Sequence, residues 1–370
     1  MIYADNAATT KLDKGALDAM MPWLTEEYGN ASQKYSFARN PKKAITEARC
    51  VIADCIGALP EEIYFTSGGT ESDNWAIKGL MNVSDYREII TSKIEHHAVL
   101  NACSTVERMG FPVTYLPVDY QGSVSPDVLM SRITDNTKLV SIMLVNNEIG
   151  TIEPVAELAQ IAHSHGSLFH TDAVQAVGHI SIDVKALGVD MLSASAHKFN
   201  GPKGIGFLYI KKGTKIAPFV NGGAQEFGLR AGTENVASIV GMAVALKNSC
   251  DSIALTEEKL RRMEQNFINI LKTTGLEFIH NGAKDRVPGN ISISIRGKSG
   301  EMLLHRLDLK GIYISTGSAC DSHSTRISHV IEAIKVPEDY AKGTIRISFG
   351  RENKESDAIE IAQEIIRIVE

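Results

Sequence analysis

Apolar and polar positions along this chain follow two rhythms, and the changes between them mark out the elements. A period near 3.6 predicts helices over 14–28 and 41–57, the first capped by Asp13, with a polar, turn-like stretch at 29–35 between them. Short apolar runs at 62–66, 88–91, 113–117, 139–145 and 167–170 read as strands, and helical periods at 71–81, 97–109 and 155–165 fall between them. Alternation of this kind predicts an α/β architecture, a mostly parallel sheet with helices on both faces. Beyond the strand at 207–210 a long helical stretch, 234–273, leads out of this lobe. Strands at 291–295 and 344–349 then mix with helices at 300–309 and 355–369, which suits a smaller α+β lobe. The expected division is a large domain over 14–257 and a small domain built from 1–13 and 258–370. No internal repeat or low-complexity tract interrupts either.

Composition narrows the class without changing that picture. Hydrophobic residues at 44% and charged ones at 22% are ordinary for a soluble globular protein. The net charge of -6 lacks any long basic run, so neither nucleic acid nor a membrane surface is an expected partner. Met1-Ile2-Tyr3-Ala4-Asp5 lacks the pattern of a signal peptide, and no run approaches the roughly 18 apolar residues of a membrane span. A cytoplasmic location is expected. The cysteines, at 50, 55, 103, 250 and 320, show neither close pairs nor even spacing, so no zinc site or disulfide framework follows.

The candidate chemistry lies at strand ends. A small-residue run over 190–198 reads as a buried strand that delivers Ser195, His197 and Lys198 together, with a Gly-rich turn behind them. Open α/β sheets keep their chemistry there, and such a lysine suits a Schiff base to an aldehyde cofactor that carries a phosphate. Thr66-Ser67-Gly68-Gly69-Thr70 runs from a strand into a helix, so its N–H groups and the Thr70 hydroxyl can meet a phosphate, or form a plain capped turn. Asp172, just past an apolar strand, can pair with a protonated pyridine nitrogen or cap a helix, and Gln175 is within reach of a ring oxygen. His96 or His97 can stack on a planar ring or relay a proton, and Asn147 can donate to a ring oxygen. Cys320 is flanked by Gly, Ala and Ser with His323 nearby, which suits an exposed nucleophile or an incidental loop thiol. The other four cysteines sit among helical apolar residues and read as packing thiols.

Taken together, Thr66 to Asn74, Glu95-His96, Asn146-Asn147-Glu148-Ile149-Gly150, His170 to Gln175, Ser195-Ala196-His197-Lys198, Arg230 to Asn235 and Ser318-Ala319-Cys320 resemble the NifS/IscS-type cysteine desulfurases. These belong to the class V branch of the pyridoxal-phosphate-dependent aminotransferases, and the likeness spans nearly the whole chain in order. It implies a fold-type I transferase that binds pyridoxal 5'-phosphate on Lys198, with Asp172 at the pyridine nitrogen. Gly69, Thr70, Ser195 and His197 would hold the phosphate, joined by Thr233 from the other subunit of a homodimer. His96 would stack on the ring and act in catalysis, with Asn147 and Gln175 at the ring oxygen. Arg346 would clamp the carboxylate of L-cysteine, with Arg351 in reserve and Asn30 at the substrate entry. Cys320 would take the sulfur as a persulfide, releasing L-alanine, and pass it to an iron–sulfur scaffold or a tRNA- or cofactor-thiolation enzyme. The spacing from Cys320 to His329 fits the family's long-loop group, which implies direct hand-off. No resident metal is implied, although Cys320 could ligate an iron–sulfur cluster transiently.

Three departures from the family pattern stand out. Asn30-Ala31-Ser32-Gln33-Lys34-Tyr35 replaces a usual Asn-Pro-Ser-Ser segment, Ile327 replaces a proline in the Cys320 loop, and Glu370 follows directly on the last helix, so a scaffold-gripping C-terminal extension is not expected. The rivals are a selenocysteine lyase or other class V aminotransferase, and a non-catalytic sulfur-relay protein. An intact Lys198, Asp172 and His197 count against the last.

Overall fold

A computed structural model describes residues 1–81, 87–317 and 327–370. Its strands, in chain order, are β1 (Ile2–Tyr3), β2 (Ile63–Thr66), β3 (Glu88–Ser92), β4 (Val113–Leu116), β5 (Thr137–Ser141), β6 (Leu168–Asp172), β7 (Met191–Ser195), β8 (Gly206–Ile210), β9 (Phe278–His280), β10 (Asn290–Ile295), β11 (Ile312–Tyr313) and β12 (Thr344–Ser348). The helices are α1 (Lys14–Thr25), α2 (Arg39–Ile56), α3 (Gly69–Lys78), α4 (His97–Arg108), α5 (Pro126–Met130), α6 (Val155–Ser164) and α7 (Val184–Leu187). They continue with α8 (Val236–Asp251), α9 (Ile253–Lys272), α10 (Gly300–Asp308), α11 (His329–Ala333), α12 (Glu338–Ala341) and α13 (Glu355–Val369).

Seven strands form the central sheet in the order β2-β8-β7-β6-β5-β3-β4. The run from β7 to β4 is parallel throughout, and β8 lies antiparallel between β7 and β2. Every residue of β7 and β8 is buried, as in strands covered on both faces, which is why they read as continuous apolar or small runs. A second sheet, β12-β10-β9, is antiparallel and packs with α9 and α13 around Met263, Phe267, Ile293 and Ile347. The first residues join that smaller core: β1 pairs in parallel with β11, and Ile2 and Ala4 are buried in it.

Local chemistry fixes the helix ends that matter for the site. Asp13 caps α1 by accepting the Ala16 N–H at 2.9 Å, as its sequence position predicts, and α2 stops at Gly57 with φ 72°. The expected helix over 234–273 is two helices. Its break is Ser252, whose hydroxyl bonds back to the Asn248 carbonyl at 2.8 Å and whose backbone leaves the helical region. There the chain passes from the core of the large sheet, which α8 joins, to the smaller core, which α9 joins. Among the described residues, no helix is long and apolar enough to cross a membrane.

Candidate active site

The carboxyl ends of β6 and β7 and the start of α3 converge on one cavity of about 230 Å³. Its floor is a lysine. The Lys198 ammonium donates to the backbone carbonyls of Ala7, at 2.5 Å, and Ala8, at 2.8 Å, so the N-terminal segment positions it. Gln175 donates to the same Ala7 carbonyl at 2.9 Å.

Asp172 ends β6 and faces this lysine across the cavity. Burial pushes its carboxyl up to about 6, against the pull of the Val174 N–H at 2.9 Å and of the Lys198 charge. Asp73, on the buried face of α3, is a second carboxylate in the same wall. Burial, reinforced by the charge of Asp172, raises it well above the usual range. Behind it His170 lies 3.7 Å from Asp73 Oδ1 and bonds the hydroxyls of Ser193 and Ser141, each at 2.9 Å. Burial lowers His170 to about 3, so this ring is neutral and can only relay orientation between hydroxyls.

Opposite the carboxylates the walls are donors. Gly68 sits at φ 148°, a conformation glycine tolerates, and hands the chain to α3. A Cβ on Gly69 would lie 2.5 Å from Val174 Cγ2, so the glycine lets the helix start pack against the strand end. The N–H groups of that first turn, with the Thr70 and Ser195 hydroxyls and His197, frame an anion-sized corner of the cavity. His197 Nδ1 lies 3.2 Å from the Thr9 hydroxyl. Burial, with Lys198 and Lys203 nearby, lowers His197 to about 4, which keeps it a neutral donor.

His96 caps α4 by accepting the Ala98 N–H at 3.1 Å and lines the cavity. Burial, helped by the Lys198 charge, takes its ring down to about 4. Asn147 lines the same wall. Its carbonyl accepts from Arg346 Nη1 at 3.0 Å, while Arg346 Nη2 meets Asp5 at 2.7 Å. The side chain of Arg346 is only 2% exposed, and among the described residues its Nε has no hydrogen-bond partner. A buried guanidinium whose Nε–H is left over is suited to an anionic substrate group.

The structure thus brings Gly69, Thr70, His96, Asn147, Asp172, Gln175, Ser195, His197, Lys198 and Arg346 to one cavity. Arg351 is held elsewhere, paired with Asp13. Asn30 does not line the cavity; its side chain accepts the Ser32 N–H at 2.9 Å. Thr233 is exposed and does not line its own chain's cavity. Cys320 and His323 lie outside the described residues. The sequence reading missed Asp5 and the Ala7 and Ala8 carbonyls, since backbone acceptors leave no mark in side-chain pattern. It also assigned Asp73 no role, although an acidic residue on the buried side of an apolar helix is itself a signal.

These residues fit pyridoxal phosphate on structural grounds: an amine at the floor, a buried carboxylate opposite, a glycine-cradled helix start for a phosphate, and an orphaned guanidinium donor for a carboxylate. The comparisons agree. Residues 2–360 match the family model described as aminotransferase class-V. A cysteine desulfurase IscS from Methanosarcina thermophila is 48% identical over 371 residues, covering 100% of this chain and 92% of the relative. One of the same description from Dictyoglomus turgidum is 49% identical, covering 100% and 94%. Among solved structures, a NifS-like protein superposes with a TM-score of 0.93 at 36% identity, covering 100% and 99%. SspA in complex with cysteine gives 0.84 at 37%, covering 94% and 99%.

Proposed function

The chain belongs to the aminotransferase class-V family and, within it, to the cysteine desulfurases, and from that premise we propose how its residues divide the work. The family depends on pyridoxal phosphate. When bound, that group supplies an aldehyde that condenses with amines and a ring that stores the electrons of a substrate α-carbon. Lys198 is the attachment amine and, once released, the base that takes the α-proton of L-cysteine on its Nζ. Asp172 holds a positive charge opposite it, and the α3 start, Thr70, Ser195 and His197 hold the phosphate. Asn147 and Gln175 orient the ring through its oxygen. His96, uncharged at neutral pH, stacks on the ring without adding charge.

Arg346 clamps the substrate carboxylate, and the spare Nε–H is the observation that carries this reading. Cys320 thiolate then attacks the substrate sulfur. The carbon–sulfur bond breaks, a persulfide forms on Cys320, and L-alanine leaves after reprotonation. An acceptor protein, an iron–sulfur scaffold or a thiolation enzyme, takes that sulfur from the protein.

We further propose that the working unit is a homodimer. An exposed Thr233 outside its own cavity supports this, as does a row of exposed Leu17, Met21, Leu24 and Tyr28 at helical spacing along and just past α1. The test is intact mass after exposure to L-cysteine, which should show one added sulfur on the peptide that contains Cys320. Cys320→Ala should keep a borohydride-bleachable yellow colour while losing sulfide release. Parent-rate turnover by that variant would remove the persulfide step.

A further inference from the structure

Thr233 is exposed, yet the loop that carries it between β8 and α8 is firmly held. Glu226 and Phe227 lie at φ 44° and 58°, and Gly228 follows at φ 82°, a left-handed run that non-glycine residues keep only where their surroundings fix them. The fixing group is a buried ion pair. Arg49 of α2 donates through Nη1 and Nη2 to the two Glu226 carboxylate oxygens at 2.8 and 2.7 Å, and Glu226 also accepts the Phe65 N–H of β2 at 2.8 Å. Four residues on, a second clamp closes. Arg230 donates through Nε and Nη2 to the two oxygens of Glu71 at 2.9 and 3.1 Å, while the Ala231 N–H bonds the Val220 carbonyl at 3.0 Å. Glu71 stands in the first turn of α3, next to Thr70, and also accepts the Ser67 N–H at 2.7 Å. Neither arginine lines the cavity, and neither ion pair takes part in the chemistry just described.

We propose that Arg230 is a positioning residue for the cavity of the other subunit, a role that rests on the homodimer reading: its two-pronged grip on Glu71 fixes the loop so that Thr233 reaches the phosphate corner of the neighbouring chain. One helix then serves two sites. The start of α3 meets the phosphate in its own cavity through Gly69 and Thr70, and through Glu71 it holds the residue presented to the other. Thr233 lies three positions after Arg230, and Gly232 between them sits at φ 120°, a point where the chain turns freely unless it is tied on either side. The Gly232 N–H has only a lighter tether, to the Gln225 side chain at 3.2 Å. Two parallel bonds from a guanidinium to a carboxylate fix direction as well as distance, which is what aiming a side chain across an interface requires.

The alternative is that Arg230 braces only the α3 start of its own chain, and hybrid dimers separate the two roles. Chains with two different affinity tags are refolded together and purified through both tags, and Lys198→Ala in one chain leaves a single cavity able to fix cofactor. Pyridoxal phosphate is titrated into the apoprotein, reduced with borohydride and counted by mass on the peptide that contains Lys198. The Arg230→Ala homodimer should need about tenfold more cofactor for half-saturation, the effect of losing one hydrogen bond to a charged group. Paired with a Lys198→Ala chain, the Arg230→Ala chain should bind at the parent concentration, because its Thr233 now comes from an intact loop. Paired with a chain that carries both Lys198→Ala and Arg230→Ala, the parent chain should show the full defect although its own α3 is untouched. Arg230→Lys, which keeps the charge and loses the fork, should repeat the pattern with a smaller shift, and it takes the place of the alanine variant if that protein does not fold. The proposal is overturned if the two hybrids do not follow this order, or if the Arg230→Ala homodimer binds cofactor as the parent does. Thr233→Ala hybrids built in the same way isolate the premise. If they show no exchange between chains, the shared site falls and the proposal with it; if they do and the Arg230 hybrids do not, only the role of Arg230 falls.

Discussion

Asp172 and Asp73 share one buried wall, and the protonation of the first decides how the cavity behaves with and without its cofactor. The carboxyl of Asp172 titrates near 6 in the folded apoprotein and near 3.9 in an unfolded chain. Between those values the native state holds more protons than the unfolded one, so this residue's contribution to stability falls as pH rises through that window. Two pH units amount to about 3 kcal/mol at most. Asp172→Asn removes the titration. The apoprotein variant should melt close to the parent at pH 4 and above it at pH 8, with the gap opening between pH 4 and 6.5. A constant gap in thermal melts across that range would show that Asp172 is not the titrating group. The same substitution should lower turnover of the holoenzyme by orders of magnitude, because the charge that Asp172 places opposite Lys198 is gone. Stability and activity therefore move in opposite directions at one residue, as expected where a site holds a buried charge for function.

At the level of elements, the site rests on the junction of β2, α3 and β6, and that junction was largely legible in the sequence. Gly68 and Gly69 announce a tight strand-to-helix turn, and the alternation of runs places Asp172 and Ser195 to Lys198 at strand ends. The antiparallel placement of β8 was not legible, since a strand buried on both faces reads the same in either direction. Nor was the role of β1 and the turn after it. Two residues of strand and a few backbone carbonyls have no periodicity to detect, yet they hold Lys198 and, through Asp5, Arg346. The single helix expected over 234–273 failed for a different reason: Ser252 breaks it with a local hydroxyl bond that leaves the apolar rhythm intact on both sides. Gly69 gives the element-level prediction. In Gly69→Val the new Cβ starts 2.5 Å from Val174 Cγ2, so α3 must retreat from β6 and carry its N–H groups away from the phosphate corner. Cofactor affinity, followed by absorbance on titration of the apoprotein, should weaken at least tenfold, an expected loss of about 1.4 kcal/mol or more. Unchanged affinity would mean that the helix start does not hold the phosphate.

The whole molecule raises the question of whether one chain completes a site. Ten of the eleven residues expected to catalyse or to hold cofactor line one cavity or lie outside the described segments, and Thr233 alone is described and lies outside it. It sits on an exposed stretch just before α8, while α1, which packs against α8, shows solvent a row of large apolar side chains from Leu17 to Tyr28. The proposed two-fold pair would account for both features, covering the apolar row and bringing Thr233 of each chain to the phosphate corner of the other. Such sharing has a consequence that structural stability alone cannot mimic. Lys198→Ala and Thr233→Ala homodimers should each be defective, the first wholly and the second through weakened cofactor binding. Unfolded together in equal amounts and refolded, they should form mixed dimers in which one cavity has both its own Lys198 and an intact Thr233 across the interface. Random pairing leaves about a quarter of all cavities whole, so activity should rise to roughly that fraction of the parent enzyme. Had each Thr233 served its own chain, every Lys198-bearing cavity in the mixture would still lack it, and activity per cavity would stay at about half that of the Thr233→Ala protein alone.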